Sequence, residues 1–545
     1  MSRVIQSGMS YEDTSTGSAC AFQIAAAWLD ECLASHTKCQ HFFHHGSLPP
    51  PLPTRVIDVG SSSAQSQQPP KLYIADGDDV GFYFTLSYRW LLEGNEEFQT
   101  TRSRLDEYCI ALPLLSLPQT MQDAISITRN LGVRYLWIDA LCIVQDSEED
   151  WRTEAKAMAR VYQNGLLTIA ASASADQNKK SGGCIRTRKR QQVRPLYCSA
   201  AWPDGMPKYI FADRRASKDG TRPRSTLDTR GWVLQEQLLS PRVLSYADQE
   251  LYWDCISLSA SESFPSGIPG FYDPGLKVVD MLKFRSVLLR SQQGQQKHDK
   301  GSEEEGESQM TTMASKAALY SLWRKVVEEY SMRRLTHNTD KLVALLGVAK
   351  GAASILEDEF MDGLWRKMLW RDLLWWVKDS ELSSPQRAPV APTWSWASLD
   401  DAAVTYDLSG SDTEADMVPC VEVIEVGAAS EESFGLPRIT GEIVLRGRLV
   451  PLLGTDGSAE EPSHESFPQW SEDVHGTDVA SVWALVVAAS EFNTYGIAIT
   501  KMGEAEEQYK RVGRLYWRTS PAVFGWDPEK KGWSDETQLT SVTLL

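Results

Sequence analysis

Between residues 46 and 297 the chain has no histidine. That gap deprives the central region of the base that Ser–His or Cys–His catalysis needs. A GxxxxGK[ST] loop, a GxGxxG turn after a strand, an HExxH helix and a paired CxxC are also missing. P-loop chemistry and an ordinary dinucleotide site are therefore not expected. No apolar run approaches the roughly eighteen residues of a membrane span. Residues 1–7, Met-Ser-Arg-Val-Ile-Gln-Ser, lack the apolar core of a signal peptide. Positive charge is in deficit, with a net charge of -18, which disfavours nonspecific binding to nucleic acid or anionic membrane. One basic run, 186–194, reads as a solvated loop or, alternatively, as a nuclear-import or phosphate site. Nine cysteines are scattered along 545 residues. They are expected to be free thiols in a reducing compartment, the cytoplasm first and the nucleus second.

What is present is a globular composition, 42% hydrophobic and 10% aromatic, with room for several domains. Residues 21–35 read as a short helix, followed by Pro-rich 49–53 and a Ser/Gln/Pro stretch at 61–70. Phe82-Tyr-Phe-Thr-Leu-Ser-Tyr88 reads as a strand. Thr120-Met-Gln-Asp123 has the pattern of a capping box, opening a helix that ends at Gly132. An apolar strand is expected near 133–143, covered on both faces. Ser147-x-x-Asp150 opens the next helix, whose stripe is Trp151, Ala155, Met158 and Tyr162. A third strand is expected over 166–173, and strands or turns from there to about 260. Strand–helix–strand–helix–strand argues for a parallel sheet with right-handed crossovers. Residues 291–315 look disordered. Three helices are expected at 317–330, 341–356 and 364–377, and short strands from 394 onward.

In parallel sheets, ligands sit beyond the carboxyl ends of strands. That rule favours Asp139, Cys142, Gln145, Trp151 and Glu154, together with Ser87, Tyr88, Arg89 and Trp90 after the first strand. With histidine absent, carboxylates are left for acid–base work. Glu154 lies at the edge of its helix stripe. It reads either as an acid with a raised pKa or as a first-turn glutamate favoured by the helix dipole. Asp139 inside an apolar strand needs a partner, with Arg89, Arg134 or a backbone turn as candidates. Cys142 reads as a core residue or a nucleophile. Arg89 reads as a phosphate holder or a surface ion pair. Glu236, after Trp232 and Gln235, is the rival acid, or part of a structural hydrogen-bond network. Cys32-x3-His36-x2-Cys39 places two sulfurs and an imidazole together, with His41, His44 and His45 nearby. It matches no common zinc spacing, so no metal is expected there, although zinc is conceivable. The tryptophans at 365, 370, 375 and 376 read as core.

In order along the chain stand Phe84-Thr-Leu-Ser-Tyr-Arg-Trp90, Leu117-Pro-Gln-Thr-Met-Gln-Asp-Ala124, Leu131-Gly-Val-Arg-Tyr-Leu-Trp-Ile-Asp-Ala-Leu-Cys-Ile-Val-Gln-Asp146, Asp150-Trp-Arg-Thr-Glu154 and Arg230-Gly-Trp-Val-Leu-Gln-Glu236 with Leu239-Ser-Pro-Arg242. This set resembles fungal heterokaryon-incompatibility (HET) domain proteins. Leu335-Thr-His-Asn-Thr-Asp-Lys341 and Pro392-Thr-Trp-Ser-Trp-Ala397 resemble the usual tail of such proteins. Arg89-Trp90-Leu91 departs from the family's Tyr-x-Trp-Gly. The HET domain is similar to the Toll/interleukin-receptor (TIR) fold. The resemblance therefore implies an α/β, TIR/flavodoxin-like parallel-sheet core over 81–260. Before it would come an N-terminal helical and linker segment (1–80), and after it a partly disordered linker (261–315), a helical region (316–400) and a β-rich region (401–545). It implies nonself recognition and programmed cell death, self-association, an unidentified protein trigger and no cofactor, with NAD as a substrate for cleavage. Glu154 would be catalytic, by likeness of Trp151-x-x-Glu154 to the tryptophan–glutamate helix of NAD-cleaving TIR enzymes, whose spacing is one residue longer. Ser87, Tyr88, Arg89, Trp90, Asp139, Cys142 and Trp151 would bind. The alternative is a noncatalytic signalling and assembly module.

Overall fold

Strand β3 (Tyr83–Ser87) is buried at all five positions, and the first of two compact units, 1–302, is built around it. In this unit the computed structural model describes residues 14–40, 43, 46–60, 68–90, 98–173, 182–188, 196–201, 207–212, 225–268 and 283–288. In the second unit, 303–545, it describes 305–378, 385–408, 412–427, 429–433, 436–439, 441–452, 468–474, 481–503, 508–527, 530–534 and 537–545.

Eight strands form the main sheet of the first unit. They are β1 (Arg55–Asp58), β2 (Lys71–Ile74), β3, β4 (Tyr135–Trp137), β5 (Leu167–Ala170), β8 (Arg242–Tyr246), β9 (Leu251–Cys255) and β10 (Ser259–Ser261). A separate hairpin, β6 (Leu196–Ala201) and β7 (Pro207–Ala212), falls between them in sequence. The sheet order is β10-β9-β8-β5-β3-β4-β1-β2. The pairs β3–β4, β3–β5 and β5–β8 are parallel, and antiparallel strands extend both edges. The expected parallel core is therefore present, in a mixed sheet. From β3 the chain steps to β4 on one side, then returns to β5 on the other. The carboxyl ends of β3 and β5 thus flank a topological switch point, the usual place for a ligand in such sheets.

The helices follow from their apolar spacing. They include α1 (Ala19–Ser35), α2 (Leu105–Ile110), α3 (Gln119–Asn130), α4 (Asp139–Cys142), α5 (Glu148–Asn164) and α6 (Gly231–Leu239). Ser147 caps α5, its hydroxyl accepting from the Asp150 amide. The buried residues of α5 are Glu154, Met158, Val161 and Tyr162, an i, i+4, i+7, i+8 set. Trp151 and Ala155 are only half-buried, so the buried face is turned from the expected stripe and contains Glu154. Tyr162 packs edge-on against Trp137 of β4, with ring centroids 5.7 Å apart. Each large apolar side chain buried between helix and sheet contributes roughly 1.5–3 kcal/mol.

Several expected elements differ. The strand expected near 133–143 stops at Trp137, and Asp139 to Cys142 form a helical turn. Thr120 and Asp123 form no capping box: Pro118 precedes α3. The Thr120 hydroxyl instead donates to the Gly182 carbonyl, and Asp123 accepts from the Ile185 amide. Residues 230–236, expected as strand or turn, form most of α6. Within the basic run, Arg188 is buried in an ion pair with Glu262 rather than solvated. Residues 189–194 lie outside those described.

The second unit opens with helices Glu305–Ser331 and Val343–Leu356. Residues 305–315, expected to be disordered, belong to the first of these. The expected helix over 364–377 is reduced to Leu369–Asp372 between short strands. A nine-stranded sheet beyond residue 417 bears out the β-rich region. The two tail motifs pack together. Trp394 and Trp396 are buried, Trp396 meets Tyr330 edge-on, and Lys341 reaches the Leu399 carbonyl.

Candidate functional site

Two clusters of buried charge lie near the carboxyl ends of β3 and β4, joined by the short helix α4. The first gathers Asp139, at the start of α4, with residues that follow β3. Trp90 Nε1 donates to Asp139 Oδ2 at 2.7 Å, and the Ala140 amide donates to Oδ1 at 2.7 Å. Burial pushes the Asp139 carboxyl above its usual range, while Trp90, the Arg230 charge and the Tyr88 hydroxyl pull it down. Of the expected partners, the backbone turn is present as the Ala140 amide, whereas Arg89 and Arg134 are replaced by Trp90, Arg230 and Tyr88. Arg89 is exposed, and Arg134 pairs with Asp58 at 2.8 Å. Arg230, preceding α6, donates from Nη1 to the Tyr88 carbonyl at 2.9 Å.

Glu236, on α6, completes this cluster. Burial, with the Asp139 charge, pushes its carboxyl up to about 7, against the pull of Ser87, Arg230 and Tyr162. Although the Ser87 and Tyr162 hydroxyls face this carboxyl, Glu236 Oε2 and Ser87 Oγ are buried without a hydrogen bond of ordinary geometry. Tyr162 OH is directed to the Leu86 carbonyl at 3.3 Å. A buried oxygen with an unused lone pair is costly to leave unmet. It is also what a site for a hydroxyl-bearing or cationic ligand would present. A carboxyl that titrates near neutral pH beside a second carboxylate is an arrangement suited to general acid–base work or to stabilising positive charge.

Glu154 belongs to the second cluster. Arg55 Nη2 lies 2.6 Å from Asp150 Oδ2 and 3.4 Å from Glu154 Oε1, and Arg55 Nε donates to the Cys142 carbonyl at 2.6 Å. Glu154 is 2% exposed. Burial raises its pKa, opposed by the Thr54 hydroxyl and Arg55. Cys142, between the clusters, is buried and its thiol is pushed up to about 12, which leaves it protonated and a poor nucleophile. Gln145 Nε2 donates to the Asp139 and Ile143 carbonyls, both at 3.1 Å, tying the turn after α4.

Ser87, Tyr88, Trp90 and Asp139 are thus brought together, Arg89 stands exposed beside them, and Trp151 is half-buried on α5. Three residues of the clusters carried no expected role. Arg230 and Tyr162 stood inside recognisable motifs. Arg55 gave no signal, because it follows a Pro-rich stretch in a strand of four residues. Cys32, His36 and Cys39 are not part of this site. Residues 83–236 match the family model described as Heterokaryon incompatibility protein (HET). No curated protein and no solved structure matches the chain. The match begins at the first residue of β3 and ends at Glu236, so it encloses Ser87, Asp139, Glu154 and Glu236; over these residues the chain carries a heterokaryon-incompatibility domain.

Proposed function

We propose that the HET domain is an effector of nonself recognition and cell death that cleaves the nicotinamide–ribose bond of NAD, with Glu236 as its acid. The observation carrying this reading is Glu236 itself. It is a buried carboxyl with an unpaired oxygen and a pKa of about 7, next to Asp139 at the switch point of a parallel sheet. The four parallel strands run β4-β3-β5-β8, which is the 2-1-3-4 order of flavodoxin-like sheets and supports the TIR likeness. Trp232-Val-Leu-Gln-Glu236 also has the one-residue-longer spacing that Trp151-x-x-Glu154 lacks.

In this reaction the C1′–N bond breaks and its electron pair leaves with nicotinamide. Water then adds to C1′ and loses a proton. Positive charge develops on the ribose, as in glycoside cleavage. Ionised Glu236 would stabilise that charge or orient the ribose hydroxyls, and Asp139 would add negative potential. Arg89 and Arg230 would hold phosphate, and Trp90 would stack on a ring. Glu154, neutralised by Arg55, would hold α5 in place. Nicotinamide release by the purified chain tests this. Wild type and Glu154→Gln are expected to turn over and Glu236→Gln to lose at least a hundredfold. Absence of wild-type turnover under conditions that promote self-association overturns the enzymatic reading.

The burial of Glu236 and Ser87, 7% and 1% exposed, favours a second reading. In that reading the network stiffens a noncatalytic module that assembles when a protein trigger is sensed. Cell-death activity that survives Glu236→Gln but not substitutions on the domain surface would select it.

A further inference from the structure

We propose that Cys32, His36, Cys39 and Cys255 form a closed structural zinc site that ties the N-terminal segment to β9, next to the edge strand of the sheet. The four ligating atoms lie within 4.8 Å of one another. The Cys32-x3-His36-x2-Cys39 motif supplies three of them. Helix α1 stops at Ser35, so His36 leaves it in extended backbone and the turn at 37–40 brings Cys39 back. Among the described residues the fourth ligand comes from β9; His41, His44 and His45 lie outside them. Cys255 Sγ is 3.4 Å from His36 Nδ1, across 219 positions of sequence. A tetrahedral ion with Zn–S of about 2.3 Å and Zn–N of about 2.0–2.1 Å sets S···S near 3.8 Å and S···N near 3.5 Å. The observed cluster needs only small side-chain shifts to meet that.

The surroundings fit a metal-bound thiolate group. Three thiolates around Zn²⁺ carry a net charge of about -1. Arg242, fully buried, donates Nε to Cys32 Sγ at 3.1 Å and its other bonds go to the Phe43 and Leu166 carbonyls. Among the described residues this guanidinium is bonded to no carboxylate; a buried cation calls for a counter-charge, and the sulfur cluster supplies it. Buried Arg285 lies nearby as well, its charge interacting with Asp254 first and then with the Cys255 and Cys39 sulfurs. Ser257 hydrogen-bonds to both sulfurs through its backbone, and its Oγ lies 3.4 Å from Cys39 Sγ. Such outer partners orient ligands and tune the ion. Four protein ligands leave no open position, so the role is structural. Binding would release the thiol protons and make metal affinity part of folding. Trp28 on α1 adds to the clasp by stacking on Trp253 of β9, with centroids 6.3 Å apart.

The full chain, purified under reducing conditions, is expected to hold one zinc per chain by elemental analysis. With Co²⁺ in place of zinc it is expected to show a thiolate-to-cobalt charge-transfer band of three-sulfur intensity. Half-exposed His36 allows a variant that keeps the buried sulfurs. His36→Cys should retain the metal and gain a fourth sulfur's intensity, and Cys255→Ser should lose metal. Four outcomes overturn the proposal: no metal after reconstitution with excess zinc, a three-sulfur spectrum unchanged in His36→Cys, full metal retained in Cys255→Ser, or a disulfide among Cys32, Cys39 and Cys255 in the freshly reduced and desalted protein.

Discussion

Glu154 and Glu236 are both buried glutamates on helices that cover the same sheet, yet their surroundings differ in kind. Glu154 shares a guanidinium with Asp150 and accepts from Thr54. Glu236 faces hydroxyls and a second carboxylate, with Arg230 as the nearby cation. Burial alone therefore does not single out a reactive acid. The difference lies in whether the cost of burial is met by a dedicated counter-charge. A met charge serves stability. A charge met only in part titrates near neutrality and keeps capacity for a ligand.

The largest expected effect tests the paired cluster. Arg55→Met leaves Asp150 and Glu154 facing each other without their cation, and should destabilise the first unit by about 3–5 kcal/mol in urea unfolding. Little change would mean that the two clusters are energetically alike. Next is the pH dependence of the unpaired acid. Because the folded carboxyl of Glu236 keeps its proton up to about pH 7, the folded protein binds more protons than the unfolded chain between about pH 4.5 and 7. Its contribution to stability is full below that window and is lost as pH rises through it. Glu236→Gln removes the cost of ionisation. It should therefore stabilise by on the order of 3 kcal/mol at pH 8, with the gain vanishing near pH 4. A destabilised variant at pH 8 would show that the carboxylate is structurally met. Trp90→Phe removes the indole donor to Asp139 and should cost about 1 kcal/mol, with a rise in the Asp139 pKa measurable by NMR titration. Smallest is Arg152→Ala. Its exposed pair with Glu148 should be worth about 0.3–0.5 kcal/mol, calibrating the buried pairs against a solvated one.

The parallel core, the α1, α3 and α5 helices and the β-rich tail were legible in the sequence because each depends on local periodicity. So was the grouping of Ser87, Tyr88 and Trp90 after a core strand, whereas Asp139, expected inside a strand, joins them because that strand stops at Trp137. The reach of Arg55 and of Cys255 was not legible, because nothing in a four-residue strand or a lone cysteine signals a partner so distant along the chain. Residues 230–236 suit strand or turn as well as helix, because their short run of large apolar residues fits either period, and only packing against the sheet selects the helix.

By itself the sequence determined which chemistry could occur in the central region. Having no histidine there, it left carboxylates, and it placed them near strand ends and on helices. Tertiary structure decided which carboxylate is neutralised and which is not. That outcome depends on where β1 delivers Arg55 and where α6 turns Glu236, and a carboxyl's pKa is set by charges and burial brought through space rather than by its neighbours in the chain.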